Sequence, residues 1–205
     1  MKNITTGFLA KQEEACKDSR SAYFFARHNK IADVEKCQEM ACKDFEYAYR
    51  FAKYIVGADI KYCQEAVCKD VQDAKNSKYA YLFAKNIKGA DIESCQEAAC
   101  KNTISAYCFA KDIKGANIEC CQKAACCNPI QAFYFAKYIK GANIKYCQEA
   151  ACKDPYCAFL FAKHIRGANI EFCQKATCKN PYWLKRFALN IHGADKKKYK
   201  IFSIL

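Results

Sequence analysis

Apolar residues recur along this chain at helical spacing, and the pattern then repeats itself. Between Asp154 and Ile165, the residues Ala158, Phe161, Ala162 and Ile165 stand at i, i+3, i+4 and i+7, one face of a helix. Phe25, Phe51, Phe83, Phe109, Phe135, Phe161 and Phe187 share one slot of that pattern, each followed by a small Ala that lets helices approach closely. A second signature, CQxxxC, places its first cysteine at Cys37, Cys63, Cys95, Cys121, Cys147 and Cys173. The intervals are 26, 32, 26, 26 and 26 residues, so one repeat carries an insertion of six.

Each repeat opens on an Asx residue: Asp18, Asp44, Asp70, Asn102, Asn128, Asp154 or Asn180. Such side chains accept from free amides of a first helical turn, and Pro129, Pro155 and Pro181 follow at the position where proline costs no hydrogen bond. Gly57, Gly89, Gly115, Gly141, Gly167 and Gly193 come just after this helix and read as left-handed C-caps. Two residues later a second Asx (Asp33, Asp59, Asp91, Asn117, Asn143, Asn169, Asp195) opens a second short helix. The unit is a helical hairpin whose helices, about ten residues each, are too short to persist alone. Hairpins must bury each other's faces.

The predicted fold is therefore all-α, an α-solenoid of seven stacked two-helix repeats forming a single domain over 1–205, right-handed or nearly straight. A half-repeat, 1–17, leads into units 18–43, 44–69, 70–101 with the insertion, 102–127, 128–153, 154–179 and the C-terminal cap 180–205. Lys11 in a cysteine slot, and Lys185, Arg186, Lys196 and Lys197 in apolar slots, suit polar ends. The insertion, Val71 to Lys78, reads as surface slack, a polar loop or an extended first helix rather than core.

Composition narrows the setting. No segment approaches the about 20 apolar residues of a membrane helix, and the N-terminus has no signal-peptide run, so a cytoplasmic chain with reduced thiols is expected, in a host's cytoplasm if the protein is viral. Seventeen cysteines then need another explanation. Thirteen form two ladders, the six above and Cys16, Cys42, Cys68, Cys100, Cys126, Cys152 and Cys178. Within a helix the two slots lie five residues apart, about 140° around the axis, which rules out a metal grip or disulfide inside one helix. Cys126 could approach Cys147 of the next unit, but a height difference of roughly 7.5 Å opposes this unless the helices are staggered. Small apolar filling is the expected role, with soft-metal or redox chemistry as the alternative. Cys108, Cys120, Cys127 and Cys157 fall outside the ladders, and Cys120 and Cys127 read as exposed thiols. Gln12, Gln38, Gln64, Gln96, Gln122, Gln148 and Gln174 sit mid-stripe, where a buried amide must bond a neighbouring Gln or carbonyl and would lock the register.

Charge is ordered by the repeat. Lys and Arg total 34 against 21 acidic residues, a net +13. Lys53, Lys85, Lys111, Lys137 and Lys163 form one ladder, and Lys88, Lys114, Lys140 and Arg166 a second, three residues on. Cations at helix C-termini complement the helix dipole, but the net excess goes beyond that and makes this edge the candidate interaction surface. An aromatic ladder, Tyr23, Tyr49, Tyr81, Tyr107, Phe133 and Phe159, is interleaved with it and is expected mainly to pack between units, with base stacking the alternative. His28, His164 and His192 stand in different units, and no phosphate loop, nucleophile elbow or His-metal motif occurs, so no enzyme activity, catalytic residue, metal or cofactor is expected.

The wording KDPxxAxxFAKxIxGANIxxCQxAAC, carried in its clearest form by Asp154, Pro155, Ala158, Phe161, Ala162, Lys163, Ile165 and Gly167, resembles short helical-hairpin repeats of phages, large DNA viruses and some bacteria, whose usual form is similar to DPxYAYxYARDVIxG. The resemblance covers nearly the whole chain, departs from the pattern in its cysteines, and implies an α-solenoid without an established activity. The expected function is a non-enzymatic scaffold binding another protein. Nucleic-acid binding through the lysine ladders is the alternative, and thiol-based metal or redox binding a further one; no membrane partner is expected.

Overall fold

The computed structural model describes residues 6–69 and 74–197. Among them are fourteen α-helices and no strand: α1 (Thr6–Ala15), α2 (Ser19–His28), α3 (Val34–Ala41), α4 (Phe45–Tyr54), α5 (Ile60–Cys68), α6 (Ala74–Asn86), α7 (Ile92–Ala99), α8 (Thr103–Asp112), α9 (Ile118–Ala125), α10 (Pro129–Tyr138), α11 (Ile144–Ala151), α12 (Pro155–His164), α13 (Ile170–Thr177) and α14 (Pro181–Asn190). The chain is all-α, and adjacent helices pack consecutively in a helical-repeat arrangement. Two compact units divide it, one from Met1–Ser105 with Ile113–Gly115, the other from Ala106–Asp112 with Ala116–Leu205.

Both kinds of helix start as local chemistry dictates. The Asp44 carboxylate accepts from the amides of Glu46 and Tyr47 at 2.8 and 3.2 Å, and Asn143 accepts from Tyr146 at 3.0 Å. Pro129, Pro155 and Pro181 fill the first turns of α10, α12 and α14. The expected cap Asp70 lies outside the described residues, as do Val71–Asp73 of the insertion and the last eight residues of the C-terminal repeat.

The six glycines have φ between 84° and 87°, as expected, but they are not the caps. In α4, α10, α12 and α14 the residue that closes the helix is the isoleucine two positions before the glycine: extended Ile139, for example, sends its amide to the Phe135 carbonyl at 3.0 Å. The Ala142 amide then returns to the Ile139 carbonyl at 3.3 Å, leaving Gly141 third in a β-turn that requires positive φ there. This type II turn, rather than a helix cap, reverses the chain between the helices.

In the first unit α2 packs on α3 and α4, and α4 on α5 and α6; in the second α10 packs on α11 and α12, and α12 on α13 and α14. The phenylalanine slot is the centre of each interface. Phe51 and Phe83 in the first unit, and Phe109, Phe135, Phe161 and Phe187 in the second, are wholly buried, each contributing roughly 1.5–3 kcal/mol of apolar burial. Three residues before each stands a buried Ala, replaced in the last repeat by Leu184. Phe25 is only half-buried and is met by Phe8 of α1 at 5.3 Å, so the leading half-repeat covers that end of the core.

The described part of the insertion is helix, not slack. Helix α6 has thirteen residues where the other first helices have ten, and Asn76 and Ser77 are buried within it. The added turn brings Lys75 to α4, beside Tyr79 of the regular part of the helix. Tyr79 hydrogen-bonds the Glu46 carboxylate, which also meets Arg50 at 2.7 Å and Lys75 at 4.0 Å. With Tyr79 as the main cause, that carboxyl is held below its usual range. Of the insertion's polar residues, Lys75 joins this network.

Successive hairpins are joined by the buried glutamines. Gln122 donates to the Asn143 carbonyl at 2.9 Å and accepts from the Asn143 amide at 2.9 Å. Gln38 does the same to Asp59, Gln64 to Asp91, Gln148 to Asn169 and Gln174 to Asp195, with every bond between 2.8 and 3.0 Å. The expected register lock is therefore real, and its partner is both backbone groups of the next helix cap.

That lock overturns the objection to cysteine pairing. Gln38 stands five residues beyond its own cap, Asp33, and grips the next cap, Asp59, so consecutive second helices are offset by about five residues, roughly 7.5 Å. The two cysteine slots are also five residues apart, and the stagger cancels their height difference. Cys42 and Cys63 sulfurs lie 3.6 Å apart, Cys126 and Cys147 3.7 Å, Cys152 and Cys173 3.7 Å, Cys16 and Cys37 3.8 Å, and Cys68 and Cys95 3.9 Å, all as free thiols.

Candidate functional site

The lysine edge forms because the cation of each first helix sits four residues beyond an aromatic side chain, one turn along the same face. In the first unit the Lys53 ammonium lies 5.4 Å from the Tyr49 ring and donates to its hydroxyl at 3.0 Å, while Lys85 lies 5.3 Å from Tyr81 and donates at 2.8 Å. The Tyr49 bond raises the Lys53 pKa and holds its charge. In the second unit Lys111, Lys137 and Lys163 lie 5.8, 5.5 and 5.6 Å from the rings of Tyr107, Phe133 and Phe159.

Further rings extend this edge. Tyr54 lies 5.4 Å from Lys53 and 4.6 Å from Arg27, and Tyr138 lies 5.1 Å from Lys137; both tyrosines are about half exposed. Lys88 and Lys114 of the first unit, and Lys140 and Arg166 of the second, are exposed on the turns that follow. Among the described residues, Lys53, Lys88, Lys111, Lys114, Lys137, Lys140, Lys163 and Arg166 make no ion pair; the surface ion pairs engage Lys17, Lys36, Arg50, Lys75 and Lys123 instead. Tyr49, Phe133 and Phe159 are buried on their other sides, so these rings pack the core and back the lysines at once.

A second surface was not foreseen. Where one second helix meets the next, the offset set by the glutamine opens a groove lined by the same seven slots each time. In the first unit it is lined by Val34, Glu35, Gln38, Glu39, Gly57, Asp59 and Tyr62, with a cavity volume of about 380 Å³. In the second unit one groove runs from Ile118 to Tyr146 and the next from Ile144 to Phe172, with about 330 and 510 Å³. The floor is constant: a turn glycine, the Asx cap and the clamping glutamine.

Variation is confined to the rim. Its aromatic slot holds exposed Tyr62, Tyr146 or Phe172, and its two charged slots hold Glu35 with Glu39, Glu119 with Lys123, or Lys145 with Glu149. Glu119 and Lys123 pair at 2.7 Å, which draws the Glu119 pKa down and the Lys123 pKa up. Along the sequence this slot reads Lys36, Tyr62, Ser94, Cys120, Tyr146 and Phe172, so no aromatic run marks it, and only the stagger turns it into a groove wall.

Other candidate chemistry stays dispersed. His28 and His164 are exposed, His28 stacked on Phe24 at 6.2 Å and His164 near Phe133 at 6.1 Å. Burial, with help from Lys137 and Lys163, lowers the His164 pKa. Among the described residues no three His, Cys, Asp or Glu side chains gather as a metal site, and no helix is long and apolar enough to cross a membrane. Of the off-ladder cysteines Cys127 is exposed, Cys120 and Cys108 are half-buried, and Cys157 is buried with its thiol pushed up to about 12. No protein-family model matches the chain, and neither a curated protein nor a solved structure is significantly similar to it.

Proposed function

We propose that this chain is a non-enzymatic scaffold that binds another protein as an extended segment laid across the grooves between its second helices. One observation carries the reading: the same groove recurs with a constant floor and a variable rim. Stacked helices repeat every 8–10 Å, and three residues of extended or polyproline chain span about 9–10 Å. Every third residue of a bound strand would then enter an equivalent groove, with the two rim charges selecting its neighbours. The setting is cytoplasmic, where exposed thiols stay reduced, and the repeat wording points to phage or viral relatives.

The test is binding of labelled extended peptides bearing Leu or Tyr at every third position. Tyr146→Ser with Phe172→Ser should weaken binding by roughly tenfold or more, since exposed aromatic anchors carry much of such energy. Unchanged affinity in that double variant removes the reading.

A second reading rests on the ring-backed lysines, most of which lack a carboxylate partner: a single-stranded nucleic acid could track this edge, its bases against Tyr54 or Tyr138. Affinity for an oligonucleotide would then fall with salt at about 0.7 log units per phosphate, and Lys111→Glu with Lys137→Glu would reduce that slope. Salt-independent binding, or none at low salt, eliminates this reading.

A further inference from the structure

Five times in the described chain a cysteine at the end of one second helix touches a cysteine near the start of the next, at 3.6 to 3.9 Å between sulfurs. Nothing in the binding surface requires this. The contact distance is that of two thiols packed together, and a disulfide needs the sulfurs to close by roughly 1.5–1.9 Å. Each bond would join two consecutive hairpins across their interface.

The five pairs are not equivalent. In the first unit Cys16, Cys42 and Cys68 are half-buried, so each pair has one member within reach of solvent and one, Cys37, Cys63 or Cys95, wholly buried. In the second unit both members are buried: Cys126 with Cys147, and Cys152 with Cys173. Burial, with the nearby Cys16 as the next cause, pushes the Cys37 thiol up to about 12, and the Cys42 thiol, donating to Cys63 and itself packed in, is raised further.

We propose that the first-unit pairs are sites of reversible oxidation by a peroxide, closing as disulfide staples between consecutive hairpins. The half-buried thiol, Cys68 for example, attacks the peroxide as its thiolate; the O–O bond breaks, the sulfur gains the hydroxyl, and the released hydroxide leaves as water with the thiol's proton. The Cys95 sulfur then bonds to the Cys68 sulfur, and the hydroxyl departs with the Cys95 proton as a second water. Two thiols supply the two electrons that reduce the peroxide, and a dithiol reductant reverses the change.

A disulfide also suits this seam better than a metal. Two thiolates around a monovalent soft cation leave a net negative charge in an apolar interface, which is costly, and no third ligand gathers there among the described residues. The disulfide is neutral.

The full-length chain, purified under reductant and freed of it, is titrated with hydrogen peroxide and followed by intact mass and peptide mapping. Cys42–Cys63 and Cys68–Cys95 should appear as intramolecular bridges, each losing two hydrogens. Cys68–Cys95 should form on the order of tenfold faster than any bridge in the second unit, because burial keeps peroxide from Cys126 and Cys173 even though hydrogen bonds from Cys147 and Cys152 draw their pKa values down. The urea midpoint should rise on oxidation and return on reduction. Cys95→Ala should leave Cys68 as a sulfenic acid trapped by dimedone; if that variant fails to fold, Cys68→Ser should abolish the Cys68–Cys95 bridge and leave Cys42–Cys63 intact. Peroxide that oxidises exposed Cys127 and Cys178 yet yields neither bridge overturns the proposal. So does copper(I) bound at one ion per pair with no loss of hydrogens on peroxide treatment.

Discussion

The two compact units are built on the same skeleton and differ only where stacking leaves them free. Both bury their phenylalanine slot, both join hairpins through a glutamine and the next Asx cap, and both reverse through a glycine at φ near 85°. The first unit is the irregular one. It has the lengthened α6, the Glu46, Arg50, Lys75 and Tyr79 network, half-buried members in its thiol pairs and a groove rim with two glutamates. The second has proline at its first-helix starts, fully buried thiol pairs and rims that mix Glu with Lys. What the stack requires is constant, and individuality collects on rims and at the solvent ends of the pairs.

The sharpest way to break that comparison is to empty the shared core. Phe51→Ala and Phe135→Ala should each cost about 3–5 kcal/mol, and the two costs should agree closely, because both rings are wholly buried in matching slots. Urea unfolding followed by helical circular dichroism measures this. A large difference between them would show that the units are not energetically equivalent.

A smaller effect should separate the units through the glutamine. Gln38→Leu and Gln148→Leu each remove two hydrogen bonds to the next cap, at about 0.5–1.5 kcal/mol for each bond, because Asp59 and Asn169 are exposed and water can take the amide's place. Gln148 also donates to the Cys173 sulfur at 3.2 Å, so its replacement should cost more. Equal costs would mean that the sulfur contact adds nothing.

A last effect, absent at neutral pH, lies in alkaline solution. Cys37 in the first unit and Cys157 in the second are both pushed up to about 12, mainly by burial. Above the ordinary thiol value near 9 the unfolded chain loses these protons while the folded chain keeps them, so stability should fall as pH rises from about 9 towards 12. Urea midpoints measured across that range should fall less steeply in Cys37→Ala and Cys157→Ala than in the parent. A limb of unchanged slope in both variants would assign the loss to other groups.

Much of this was legible beforehand because it is local. An Asx followed by a free first turn, a proline at the first position and a phenylalanine every repeat describe interactions within a few residues, and the 26-residue recurrence multiplies each one. Gln122 was readable for a different reason: a buried amide must be satisfied, so a neighbouring backbone group was the natural partner. The insertion was harder, since Lys75, Asn76 and Ser77 are as polar as a loop while belonging to a helix whose partners lie on α4. The grooves were hidden because their walls come from helices 21 or more residues apart in sequence.

By itself the sequence determined the hairpin, its caps, its core face and the need for a bonded glutamine, all consequences of short-range geometry and of the cost of an unpaired polar group. Only the tertiary structure decided the offset between hairpins. Gln38 reaches the cap of the next helix from a point five residues along its own, and Cys42 lies five residues beyond Cys37. A single axial shift therefore aligns the thiols and opens the grooves. Helical periodicity places a side chain around its own axis, but the height at which two helices meet is set by whichever contact between them is most specific, and here that contact is the glutamine clamp.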